Sequence, residues 1–113
     1  MTLYFRFVEK RIVKRVFSNY LELRRRSPGA DDRSVLKQTA TFTLQDLSDQ
    51  HIPQKLEDWF GDPSDIRDVK DLASVILATT LPLGEDEPKK REREFARRLA
   101  FIENLYAEEF LGV

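Results

Sequence analysis

Cysteine is missing from this chain, which removes disulfides, thiolate metal sites and thiol nucleophiles together. A disulfide-stapled scaffold is impossible, and a reducing, cytoplasmic setting is the expected one. Histidine occurs once, at His51, too few for a multi-histidine metal centre, and no serine or threonine lies in a motif that would make it the base of an activated nucleophile. It reads as an exposed loop residue. The four glycines, Gly29, Gly61, Gly84 and Gly112, fall at element boundaries and form no phosphate-cradling loop. No apolar run exceeds four residues, far below the ~20 that span a bilayer. No catalytic residue, metal set or cofactor site is therefore expected, and the chain is not read as an enzyme.

What is present suits one domain, residues 1–113, since 41% apolar residues in a chain of 113 can build a core without a staple. The charge is unevenly placed. Met1 to Ser27 holds eight Lys/Arg against two Glu (+6), Pro28 to Pro88 five against thirteen (−8), and Lys89 to Val113 six against five (+1). A basic stretch of this kind meets either the chain's own acidic segment or something anionic outside it.

Phe5, Val8, Ile12, Val16, Tyr20 and Leu23 recur every three or four residues, with Lys10, Arg11, Lys14, Arg15 and Arg25 largely opposite. The spacing predicts a helix of about five turns, ended by Ser27-Pro28-Gly29 and favoured there by Arg24 to Arg26 beside its last carbonyls. An Arg-rich amphipathic start has the outline of a transit peptide or membrane-surface helix, but Glu9 and Glu22 argue against the first, and the apolar stripe is more economically core.

Thr2 to Val8 is dense in aromatic and β-branched residues, and Gln38 to Leu44 alternates, so a small two-stranded β element is the alternative to helix for these segments. Thr43 has the form of a helix cap, with Asp46 in the first turn of a short helix to Gln50. Pro53 to Phe60 reads as another helix, stopped by Gly61 and Pro63. Ser64 would cap a third, Asp65 to Thr80, with Ile66, Val69, Leu72, Ala73, Ile76 and Leu77 on one face. The last helix, Lys89 to Leu111, presents a seam of Phe95, Leu99, Ile102, Tyr106 and Phe110, which suits packing within the fold or against a second copy of the chain.

Asp58, Asp62, Asp65, Asp68 and Asp71 form an acidic run, but it lacks the alternating acids and glycine turn of a calcium loop, so a solvated face is expected. It is also one candidate dock for the basic helix. Thr43 to Ser48, continued by Ile52, Leu56 and Trp59, resembles the helix-turn-helix of bacterial repressors. The resemblance implies DNA contact through Gln54, Lys55, Glu57 and Asp58, a net negative set that phosphates repel, and the turn glycine of that pattern is missing.

The expected fold is a mainly α, single-domain irregular bundle of four or five helices. The expected function is that of a small non-enzymatic interaction protein, an adaptor, accessory subunit or regulator. Its contact residues would be Lys10, Arg11, Lys14, Arg15, Arg24, Arg25 and Arg26 toward an anionic partner, with Trp59 and Phe60 as an aromatic anchor. The partner is expected to be a protein. The alternative is a nucleic-acid-binding regulator using the basic first helix.

Overall fold

Five helices account for the fold of the computed structural model, which describes residues 3–61, 64 and 66–113: α1 (Leu3–Arg26), α2 (Asp32–Asp46), α3 (Ile52–Phe60), α4 (Val69–Thr80) and α5 (Pro88–Leu111). No strand occurs among the described residues, which corrects the β alternative. The reason is visible in Gln38 to Leu44: on a strand Ala40, Phe42 and Leu44 would share a face, but here Ala40 and Leu44 are buried while Phe42 is exposed. That is the helical period. Leu3 to Val8 is likewise helical, and Thr2 lies outside the described residues.

α2 runs as one helix through Thr43, where the start of a short helix was expected. Its cap is Asp31, whose carboxylate accepts from the Ser34 amide at 3.1 Å. Thr43 is buried in the last turn of α2 and accepts from Asn19 Nδ2 at 3.0 Å. Thr39, also buried, donates to the Val35 carbonyl at 2.7 Å, so threonines that read as strand residues carry satisfied hydroxyls inside a helix. The α2–α3 turn takes its left-handed residue from Ser48 (φ 58°), in place of the glycine missing there, and the Asp49 amide closes back on the Leu44 carbonyl at 2.9 Å.

α4 begins at Val69, later than expected, because Asp68 caps it by accepting from the Asp71 amide at 2.9 Å. Ser64 instead donates to the Trp59 carbonyl at 2.9 Å, and Asp62 and Asp65 lie outside the described residues. Val69, Leu72, Ala73, Ile76 and Leu77 of α4 meet Ile12, Val13, Val16 and Phe17 of α1, with Leu36 and Ala40 of α2, Phe60 of α3 and Ile102 and Leu105 of α5 completing the core.

α1 and α5 run side by side in the same direction. Glu9 meets Arg97 and Arg98 near one end, and Phe17 and Tyr20 meet Tyr106 and Phe110 near the other. The seam expected along α5 therefore holds only in part: Ile102 is buried and Tyr106 and Phe110 pack on the core, but Phe95 and Leu99 are exposed. From Pro88 to Arg97 the helix has no fully buried residue, Glu94 and Arg97 being half-buried.

Candidate docking face

The basic side of α1 is largely met by acids of the same molecule. Lys14 lies 3.6 Å from Glu109, Arg15 3.9 Å from Asp46, Arg24 2.7 Å from Asp32, and Arg25 and Arg26 lie 2.7 and 2.9 Å from Glu22. Arg24 also donates to the Ala30 carbonyl at 2.7 Å and stands over the Tyr20 ring, fixing the loop that ends α1. Burial, and then its 2.7 Å bond to Asp32, push the Tyr20 phenol up. None of these acids comes from the Asp58–Asp71 run. Lys10 and Arg11 are exposed and have no ion pair among the described residues. Of the two aromatic candidates, Trp59 is half-buried against the core, and Phe60 is a core residue under the Arg33 guanidinium, which donates to its carbonyl.

The arrangement that sequence reasoning missed is a buried charge cluster. Glu9 is 0% exposed, yet it lies on the inner face of α1, one turn before Ile12 and Val13. Its carboxylate accepts from Arg97 Nη2 at 2.9 and 2.7 Å and from Arg98 Nε at 2.6 Å. Arg97 is shared with Glu94 at 3.0 Å. Arg98 is only 4% exposed, stands over the Phe5 ring at 5.4 Å, and leaves Nη2 without a hydrogen-bond partner. A buried carboxylate held by two guanidiniums is tolerated because both of its oxygens accept from charged N–H donors, and removing either side would leave a bare charge. The available sequence signal was a charge inside each apolar stripe: Glu9 among Phe5, Ile12 and Val16, and Arg98 among Ile102 and Leu105.

Above this cluster the facing surfaces of α4 and α5 do not close. A cleft of about 210 Å³ lies between them, lined by Ser74, Leu77, Ala78, Pro82, Leu83, Arg91, Phe95, Arg98 and Ile102. A second hollow adjoins it through Ser74, Phe95 and Ile102, and reaches Asp68, Lys70, Asp71, Leu99 and Glu103. Phe95 and Leu99, 49% and 41% exposed on successive turns, thus stand in a groove whose ends differ in charge. One end carries Arg91 and Arg98. The other carries Asp68, Asp71 and Glu103 against Lys70, three acids to one base. Lys70 donates to Glu103 at 3.1 Å, and that bond holds its ammonium pKa up.

Among the described residues no three His, Asp or Glu side chains converge to hold a metal ion, and no helix is long and apolar enough to cross a membrane. Comparison with family models, with curated proteins and with solved structures returns no match.

Proposed function

We propose that the chain is a non-enzymatic interaction protein, an adaptor, accessory subunit or regulator, that docks a segment of a protein partner along the α4–α5 groove in a cytoplasmic setting. The observation that carries this reading is the exposure of Phe95 and Leu99 between ends of opposite charge. An apolar patch with an aromatic centre and a polar rim is what a docking site needs, and a helix with no fully buried residue over ten positions gains by being covered. Charge complementarity sets the occupant: apolar residues on Phe95 and Leu99, an acid toward Arg91, and a base toward Asp68 and Asp71. The expected contact surface thus moves from α1 and Trp59–Phe60 to α4 and α5.

Display of random peptides tests the reading, selecting on the wild type and counter-selecting on Phe95→Asp/Leu99→Asp. Enriched sequences should carry apolar residues flanked by an acid on one side and a base on the other. Enrichment that survives on the double variant, or none on either protein, would contradict it.

The second reading, nucleic-acid binding, draws support from the parallel course of α1 and α5. It sets exposed Lys10 and Arg11 at the same end of the molecule as exposed Lys89, Lys90, Arg91 and Arg93. Titration into labelled duplex DNA and single-stranded RNA at two salt concentrations decides it. Steep weakening with salt, and loss of binding in Lys10→Glu/Arg11→Glu, would favour phosphate contact.

A further inference from the structure

The Arg98 side chain is not accounted for by the fold alone. Its Nε is spent on Glu9, which already takes both of its oxygens to Arg97, and its Nη2 is buried with no acceptor. A buried guanidinium N–H without a partner is costly, and such groups in native proteins are normally met by water or a ligand. The same residue lines the cleft of about 210 Å³, whose walls include Leu77, Ala78, Leu83 and Phe95. Arg91 lines that cleft too, with no ion pair among the described residues, so two arginines border a mostly apolar hollow and one of them, Arg98, carries the orphaned donor.

We propose that this cleft is the binding site of a small apolar carboxylic acid, with its carboxylate on Arg98 Nη2 and Arg91 and its hydrocarbon body against Leu77, Ala78 and Leu83. Nη2 is closed to bulk water, so the acid reaches it as Phe95, half exposed at the mouth, turns outward. Chemistry selects the ligand class: a planar carboxylate matches a guanidinium fork, while a phosphate-sized dianion would be stripped of water against too many apolar walls. The size fits too, since a drug-sized ligand takes a pocket of roughly 300 Å³ or more. The inference does not rest on the docking reading, because its readout is ligand binding to the isolated chain.

The experiment is a titration of the ¹⁵N-labelled protein with 3-phenylpropanoate and, in parallel, with its neutral amide. Saturable shifts should appear at residues 74–83 and 91–102 and at the Arg98 Nε–H. The amide should bind about tenfold more weakly, the loss expected for a charge-assisted bond. Two variants keep the buried cluster intact: Ala78→Phe, at an exposed position, fills the cleft and should abolish binding, and Arg91→Gln should weaken the acid but not the amide. Three results would overturn the proposal. They are no saturable shift up to about 10 mM, an affinity too weak to count as a site; equal binding of acid and amide; or a capped Phe-Glu peptide that binds more tightly than the free acid, which would assign the carboxylate to a protein partner's side chain.

Discussion

The two ends of the α1–α5 pair are built from different materials. At one end Phe17, Tyr20, Tyr106 and Phe110 close the helices together with rings: Phe17 meets Phe110 edge-on at 5.3 Å, and Tyr106 stacks on Phe110 at 4.5 Å. At the other, where Phe5 and Glu9 face Arg97 and Arg98, the joint is ionic, and the ten residues of α5 that precede Arg98 include none that is fully buried. Rings gain by apolar contact and carry no charge to compensate, the Tyr20 hydroxyl being met by Asp32 outside the core, whereas a buried carboxylate obliges its neighbours to be donors and holds the helices by a few directed bonds. The aromatic end is shut. The ionic end carries the cleft, the exposed Phe95 and Leu99, and the one buried side-chain donor without a partner among the described residues.

Removing one ring and removing one charge should cost about the same, and this is the first way to test the contrast. Phe17→Ala should lose about 3–5 kcal/mol through the cavity it leaves. Glu9→Ala should lose about 3–5 kcal/mol by leaving two guanidiniums without their carboxylate. Chemical denaturation measures both. The sharper test replaces the ionic joint rather than breaking it. Glu9→Leu combined with Arg98→Met, with Arg97 left on Glu94, should restore stability to within about 1 kcal/mol of wild type or exceed it, since apolar groups of similar volume often match a buried ion pair. A double variant as unstable as Glu9→Ala would show that the ionic end depends on its charges for folding.

Leu99→Asp should cost less than about 0.5 kcal/mol, as expected of a surface position, whereas Ile76→Asp, one helix away in the core, should unfold the domain. The smallest effect belongs to acid. At the aromatic end of α1 the Glu22 carboxyl lies below its usual range, chiefly through its hydrogen bond from Arg25. A carboxyl depressed in the folded state contributes stability above its unfolded value of about 4.3 and loses that contribution as pH falls toward the depressed one. Glu22→Gln should therefore melt slightly below wild type at pH 7 and low salt. The gap should narrow as pH falls through the unfolded value toward the depressed one, and be screened in 1 M salt.

Much of the fold is legible in the residues. The spacing of apolar residues marks α5 to within a residue and α1 apart from its start, which also read as a strand, Pro53 marks the start of α3, and Ser27-Pro28-Gly29, Gly61 and Gly112 mark where helices stop. α2 is not legible, because its threonines imitate a strand and only their buried hydroxyl bonds, to Val35 and from Asn19, explain them. The site is less legible still. A count of basic residues singles out Lys14, Arg15 and Arg24 to Arg26, but their acids lie 3 to 95 positions away in the chain and pattern alone does not pair them. Phe95 and Leu99 share a helical spacing with Ile102, so periodicity assigns all three to the core. What separates them is that the surfaces of α4 and α5 do not close over Phe95 and Leu99, and that is a property of the packed chain.

The most direct test of the claim that the ionic end is the docking end is photo-crosslinking in cells that make the protein, with a benzophenone amino acid in place of Phe95 and, separately, in place of Phe42, an aromatic of similar exposure on α2. The account predicts a discrete crosslinked species from position 95 and none from position 42. The same species from both positions, or a product from position 42 alone, would contradict it.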